Sequence, residues 1–179
     1  MAVRTDTFDL GALRLNSGEG RRLELSVAVP DFELAGETYR VGSSEPGSDL
    51  VDVKLDISRM TGQGYALHIR FGAVLSGRCM RCLDPAAAQF DLEAREVSQP
   101  GEGEELESPY VSSDEVLDLA SWVHDVLGLA LPATIVCKDD CKGLCSVCGE
   151  NLNSAAPDHD HPSAPDPRWA ELDKLKFEQ

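Results

Sequence analysis

Hydrophobic and polar positions alternate along four stretches of the N-terminal half of the chain. Leu23, Leu25, Val27 and Val29 fall on one side, with Glu24 and Ser26 on the other. Val51, Val53, Leu55 and Ile57 are interleaved with Asp52, Lys54 and Asp56. Tyr65, Leu67, Ile69, Phe71, Ala73 and Leu75 flank His68 and Arg70, and Phe90, Leu92 and Ala94 flank Asp91, Glu93 and Arg95. A period of two predicts half-buried strands, one face packed and one face wet. The segment 32–41 is a further strand candidate. The links, such as Ser43-Ser44-Glu45-Pro46-Gly47 and Thr61-Gly62-Gln63-Gly64, are short and rich in turn residues, which predicts an antiparallel sheet or a partly open β-barrel. Residues 1–20 read as a loosely held arm.

The period then changes. Val116, Ala120, Val123 and Leu127 recur at helical spacing, with Leu119, Val126 and Ala130 widening the stripe. Ser112 and Glu115 form a candidate capping box before it, and Pro132 stops it. His124 lies beside this stripe and reads as an ordinary helix-surface histidine. A second helix is predicted near the C-terminus, where Asp166 and Pro167 suit the N-cap and first helical position, and Trp169, the anchor, shares one side with Leu172 and Lys176, with Leu175 nearby. Between sheet and first helix, Pro100, Gly101 and Gly103 alternate with Glu102, Glu104, Glu105 and Glu107, a flexible acidic loop. The expected class is therefore α+β. Residues 1–97 form an antiparallel β domain, 98–112 an acidic linker, and 113–179 a helix, a Cys-rich segment and a C-terminal helix.

Composition narrows the function classes. Hydrophobic residues are 42% of 179, enough for a core, while aromatics at 6% argue against a base-stacking surface. Sixteen basic and 32 acidic residues give a formal charge of -16, which opposes non-specific binding to phosphate backbones and suits a basic partner. From Glu96 to Val136 there are nine acids and no Lys or Arg. No apolar run approaches the ~18 residues of a membrane-spanning helix, and Met1–Leu15 lacks the apolar core of a signal peptide. The expected location is the reducing cytoplasm, where cysteines serve as metal ligands or reactive thiols more often than as crosslinks.

The cysteines carry the chemistry. Cys79-Met80-Arg81-Cys82 lies between the third and fourth alternating runs, where a hairpin tip offers two thiolates to one ion. Cys137, Cys141, Cys145 and Cys148 follow, with His159 and His161 shortly after; Gly149 can take the left-handed conformation that a second Cys-x-x-Cys turn needs. Eight donors suit one or two tetrahedral zinc ions. One division puts Cys79, Cys82, Cys137 and Cys141 on one ion and Cys145, Cys148, His159 and His161 on another. A rival division joins Cys79, Cys82, Cys145 and Cys148. Segment 133–165 has few apolar side chains, so a metal is the natural source of its order, and the expected architecture is a sheet with a zinc-stapled Cys-rich C-terminal region. No hydrolase, deaminase or phosphate-loop signature is present in the sequence.

The ordered motifs Cys79-Met80-Arg81-Cys82-Leu83-Asp84-Pro85, Leu129-Ala130-Leu131-Pro132, Cys137-Lys138-Asp139-Asp140-Cys141-Lys142-Gly143-Leu144-Cys145-Ser146-Val147-Cys148-Gly149, His159 with His161, and Asp166-Pro167-Arg168-Trp169 resemble the bacterial YceD family in its high-GC Gram-positive form. These are the large ribosomal RNA subunit accumulation proteins. The resemblance implies a non-enzymatic role in accumulation or maturation of large-subunit ribosomal RNA. It also implies a basic large-subunit ribosomal protein of the zinc-ribbon type, or a pre-ribosomal particle, as partner. Two other readings compete with an acidic, zinc-stapled adaptor. One is a zinc-knuckle protein that contacts ribosomal RNA directly through Arg78, Arg81, Lys138 and Lys142. The other is a thiol-redox or metal-dependent enzyme.

Overall fold

The structure is a computed structural model that describes residues 4–43, 48–101 and 106–161. Its strands are β1 (Thr7–Asp9), β2 (Gly20–Val27), β3 (Phe32–Leu34), β4 (Glu37–Gly42), β5 (Val51–Arg59), β6 (Tyr65–Arg78), β7 (Pro85–Ser98) and β8 (Val116–Asp118), followed by one helix, α1 (Leu119–Leu129). The four alternating runs are β2, β5, β6 and β7. The fourth reaches further than its pattern, because Ala86–Ala88 continue the pairing without large side chains.

β6 is the axis of a six-stranded antiparallel sheet. β7 pairs with it along its whole length, from Tyr65↔Ser98 to Arg78↔Pro85. On its other side β5 pairs with the first half and β4 with Val74–Ser76, while β2 flanks β5 and β3 flanks β4. The outer strands do not meet, so the sheet stays open and is not a closed barrel. Segment 32–41 divides into β3 and β4 at Ala35 and Gly36. Both have positive φ (53° and 83°), as a two-residue turn matching strand twist requires.

One face of the sheet is the core. Val51, Val53, Leu55, Ile57, Leu67, Ile69, Ala73 and Leu75 are buried together with Leu117, Leu119, Trp122, Val123 and Leu127 of the β8–α1 segment. The opposite face carries charge. Asp56 accepts hydrogen bonds from Arg22 and from Arg70 Nη2 (2.8 Å), and His68 Nε2 lies 3.2 Å from Glu93.

The N-terminal segment is not the loose arm expected. β1 pairs with β8, and Leu10 is fully buried. That pairing also moves the helix start. Ser112 and Glu115 do not cap the helix; Val116 N–H donates to Ser112 Oγ (3.2 Å) in a tight turn. Asp118 is the N-cap, its side chain accepting from Ser121 N–H at 3.0 Å. Glu115, at a left-handed φ of 59°, accepts from Arg59 Nη1 and Tyr65 Oη, both at 3.0 Å. The helix ends at Leu129, ahead of Pro132. Among the described residues α1 is the one α-helix; the helix predicted from Asp166 lies outside them. No helix of the described residues is long and apolar enough to cross a membrane.

Candidate metal centre

The β6–β7 hairpin ends in a tight turn, and that turn is the first Cys-x-x-Cys. Cys79 N–H donates to Asp84 O (2.7 Å), Leu83 N–H to Cys79 O (3.0 Å), and Arg81 N–H reaches Cys79 Sγ (3.4 Å). The second Cys-x-x-Cys repeats the design. Cys145 N–H donates to Glu150 O and Gly149 N–H to Cys145 O, both at 2.8 Å. The residue after the second cysteine is left-handed in both turns, Gly149 at φ 76° and Leu83 at φ 64°. Gly149 therefore has the conformation anticipated for it, whereas Leu83 holds the same one at a cost of about 1–2 kcal/mol.

One main-chain and one side-chain hydrogen bond carry the hairpin tip to the later cysteines. Met80 N–H donates to Ile135 O (2.9 Å), Ile135 is buried, and Arg81 Nη1 donates to Cys141 O (3.2 Å). The eight predicted donors fall into two sets of four. Cys79, Cys82, Cys137 and Cys141 form one, and Cys145, Cys148, His159 and His161 the other, with ligand atoms in each set within 4.8 Å of one another. This is the grouping of the first division; the two Cys-x-x-Cys turns do not share a site.

The spacing suits a tetrahedral ion. Zinc with Zn–S of about 2.3 Å and Zn–N of about 2.0–2.1 Å has ligand–ligand edges of about 3.8 Å (S–S), 3.6 Å (S–N) and 3.3 Å (N–N). Cys79 Sγ lies 3.7 Å from Cys141 Sγ, and Cys82 Sγ 3.5 Å from Cys137 Sγ. Cys148 Sγ lies 3.6 Å from His159 Nε2 and 3.2 Å from His161 Nε2, and the two Nε2 atoms are 3.2 Å apart. Disulfide sulfurs stand at about 2.05 Å, and all six cysteines are free thiols. His159 Nδ1 lies 3.0 Å from Glu150 Oε2, the kind of carboxylate contact that leaves Nε2 for a metal.

The surroundings push the thiols in opposite directions. Burial opposes ionisation of Cys79, but N–H bonds from Cys82, Arg81 and Cys137 outweigh it and bring the thiol down to about 6. Burial pushes Cys82 and Cys137 up. Cys141 is lowered, first by the Asn153 side-chain amide. Cys145 is lowered to about 6 by Cys148 N–H, then His159 and Val147 N–H. His159 is raised, chiefly through its bond to Cys145. The N–H groups aimed at Cys79, Cys141 and Cys145 favour the thiolate, the form that binds a divalent cation.

Four functional neighbours were not legible as ligands or partners in the sequence. Asp84 Oδ2 lies 3.5 Å from Cys82 Sγ and accepts from Asn151 Nδ2 (2.6 Å). Asn153 Nδ2 donates to Cys141 Sγ (3.4 Å), and Glu150 faces His159. Their one signal is position: each follows a Cys-x-x-Cys turn within a few residues. Of the four basic residues near the cysteines, Arg81 is turned onto Cys141 O and Lys138 Nζ lies 3.6 Å from Asp140. His124 stacks on Phe32 (centroids 4.4 Å apart) and belongs to neither set.

The family described as large ribosomal RNA subunit accumulation protein YceD matches residues 67–176, from within β6 through both donor sets. An uncharacterized protein of Mycobacterium tuberculosis (strain ATCC 25618 / H37Rv) is 34% identical over 128 residues, 69% of this chain and 60% of that protein. An uncharacterized protein of Mycobacterium leprae (strain TN) is 41% identical over 59 residues, 33% of this chain and 26% of that one. The chloroplastic large ribosomal RNA subunit accumulation protein YCED homolog 1 of Zea mays is 24% identical over 175 residues, 80% of this chain and 59% of that protein. The chain therefore spans about 60% of the length of the mycobacterial and maize relatives with the longer alignments. No solved structure matches. With a family match over more than half of its length, the chain belongs to the YceD family.

Proposed function

We propose that this chain is a ribosome-biogenesis factor that supports accumulation or maturation of large-subunit ribosomal RNA, acting in the cytoplasm as a non-enzymatic, zinc-binding adaptor. One observation carries the zinc part of this reading: all eight predicted donors assemble into two four-donor sets with tetrahedral edge lengths. Cys79, Cys82, Cys137 and Cys141 would hold one ion; Cys145, Cys148, His159 and His161 would hold the second. Four protein donors per ion leave no position for a substrate or an activated water, so the ions would be structural. The first would join the β6–β7 hairpin to the C-terminal segment. The ribosomal part rests on family membership.

The partner is a basic large-subunit ribosomal protein or a pre-ribosomal particle. The formal charge of -16 supports a basic protein over bare RNA. So does the local engagement of Arg81 and Lys138. Depletion of the protein in its source organism, followed by quantification of large- against small-subunit ribosomal RNA, tests the role. The ratio falls on depletion and recovers with the wild-type chain, but not with Cys79→Ser/Cys82→Ser. An unchanged ratio overturns the reading. Affinity capture at graded salt tests the partner: a basic ribosomal protein is recovered at low salt and lost as ionic strength rises.

A further inference from the structure

The two donor sets differ in exposure. In the first, Cys79, Cys82 and Cys141 are buried at 0%, 3% and 5% exposure. In the second, Cys148 is exposed and Cys145, His159 and His161 are half-buried. The chain that leaves Cys141 turns at Gly143 (φ 77°), makes the second Cys-x-x-Cys turn, and comes back against the first set. On return, Leu152 N–H donates to Gly143 O (2.9 Å), and Asn153 Oδ1 accepts from Lys142 N–H (3.0 Å).

Two asparagines in this returning segment link it to the buried set, Asn153 directly and Asn151 through Asp84. Asn153 Nδ2 donates to Cys141 Sγ (3.4 Å) and to Asn151 Oδ1 (2.9 Å). Asn151 Nδ2 donates to Asp84 Oδ2 (2.6 Å), which sits beside Cys82 Sγ. Among the described residues, Asn153 supplies the side-chain N–H that reaches a sulfur of the first set. The segment has little burial of its own to hold it; its flanks are Cys145 and Cys148 before and His159 and His161 after. An ion on the exposed set would therefore fix both ends of the loop that carries Asn151 and Asn153.

Building on the zinc-binding reading above, we infer that Asn151 and Asn153 couple the two sites, so that metal retention by the buried four-thiol set depends on occupancy of the exposed Cys/His set. Hydrogen bonds to ligating sulfur hold a thiolate site together, and loss of such a partner typically costs about 10–100-fold in metal affinity. Coupling is reciprocal, so an ion on the buried set also strengthens the exposed one. Falling zinc supply would empty the exposed set first. Loss of the Asn153 contact would then loosen the buried set and release the C-terminal segment from the β6–β7 hairpin. The device makes the adaptor responsive to zinc availability.

The test is zinc exchange: the full chain loaded with one zinc isotope is placed in an excess of another, which keeps the exposed set of the wild type filled, and native mass spectrometry follows loss of the first isotope. Cadmium-113 spectra of cadmium-loaded protein assign each ion, because a four-sulfur site and a mixed sulfur–nitrogen site resonate apart. The wild type stays doubly loaded and exchanges in two phases, the mixed site fast and the four-sulfur site slowly. Cys148→Ser loses the mixed site and releases the remaining ion about 10-fold or more faster than the wild-type slow phase. Asn153→Ala still binds two ions, shifts the four-sulfur resonance and accelerates release from it to a similar degree. The double variant is no faster than either single one, because both remove the same contact. A wild-type slow rate in Cys148→Ser or in Asn153→Ala, or accelerations that multiply in the double variant, overturns the coupling while leaving two metal sites standing. A wild type that binds no metal overturns the zinc reading and the coupling together.

Discussion

Gly77→Ala is the substitution that best probes how the sheet positions the first Cys-x-x-Cys turn. Gly77 stands two residues before Cys79 near the end of β6, under the ring of Tyr39, which is fully buried. A Cβ at this position falls 2.5 Å from Cδ1, 2.7 Å from Cε1 and 3.0 Å from Cγ of that ring. Ordinary carbon contacts are about 3.5–4.0 Å, so the overlap is about 1 Å. The backbone has little room to yield, because β6 pairs with β7 on one side and β4 on the other at this height. The ring is held as well: Tyr39 Oη donates to Arg78 O, the carbonyl before Cys79. Overpacking of this kind costs about 1–3 kcal/mol, and loss of the hydroxyl bond adds about 1 kcal/mol. Replacing a strand glycine returns about 0.5–1 kcal/mol. The expected net loss is about 2 kcal/mol, or a fall of about 4–8 °C in melting temperature for a chain of this size. Thermal and urea unfolding of the zinc-saturated protein measure it. Tyr39→Leu in the same chain should recover part of the loss. A Gly77→Ala protein within about 0.5 kcal/mol of wild type would refute the packing argument.

Three further outcomes follow from particular contacts. Asp118→Ala should cost about 1 kcal/mol as loss of an N-cap, and Ser112→Ala clearly less; equal losses in urea unfolding would contradict the helix start at Leu119. The Arg22 hydrogen bond, with Arg70 and His68 nearby, holds Asp56 below the usual carboxylate range. Its contribution is present above the ordinary value and is lost as pH falls through the depressed one, so stability should drop below about pH 4. Asp56→Asn should flatten that dependence, and a side-chain NMR titration that puts the Asp56 midpoint above the ordinary value would contradict the sign. Gly149→Ala forces a Cβ into a left-handed position (φ 76°) and should destabilise by about 1 kcal/mol, with faster metal loss from the exposed set; indifference in both measurements would count against the turn geometry.

Much of the sheet was legible because burial on one face imposes a period of two. Val51 to Ile57 and Tyr65 to Leu75 are buried at the alternating positions that the sequence marks. What the pattern could not carry was long-range pairing. Val116-Leu117-Asp118 looks helical by spacing, yet it is β8, because Thr7–Asp9 lies against it from the other end of the chain. The same contact turns an apparent loose arm into a packed element and makes Glu115 an acceptor for Arg59 and Tyr65 instead of a capping residue. The Cys and His donors were readable from residue type and spacing, whereas their division into two sets was not. It follows from where the β6–β7 hairpin tip meets the segment around Ile135. Asn151 and Asn153 had no signal beyond their place after the second Cys-x-x-Cys turn, since the Asn153 amide meets the Cys141 sulfur only once the loop has folded back.

Metal stoichiometry of the purified, reduced full chain, read by native mass spectrometry alongside counting of reactive thiols, tests the central claim most directly. The account predicts two zinc ions per chain and six cysteines that stay unreactive until a chelator is added. Metal-free protein that keeps the C-terminal segment ordered and its thiols protected would contradict it.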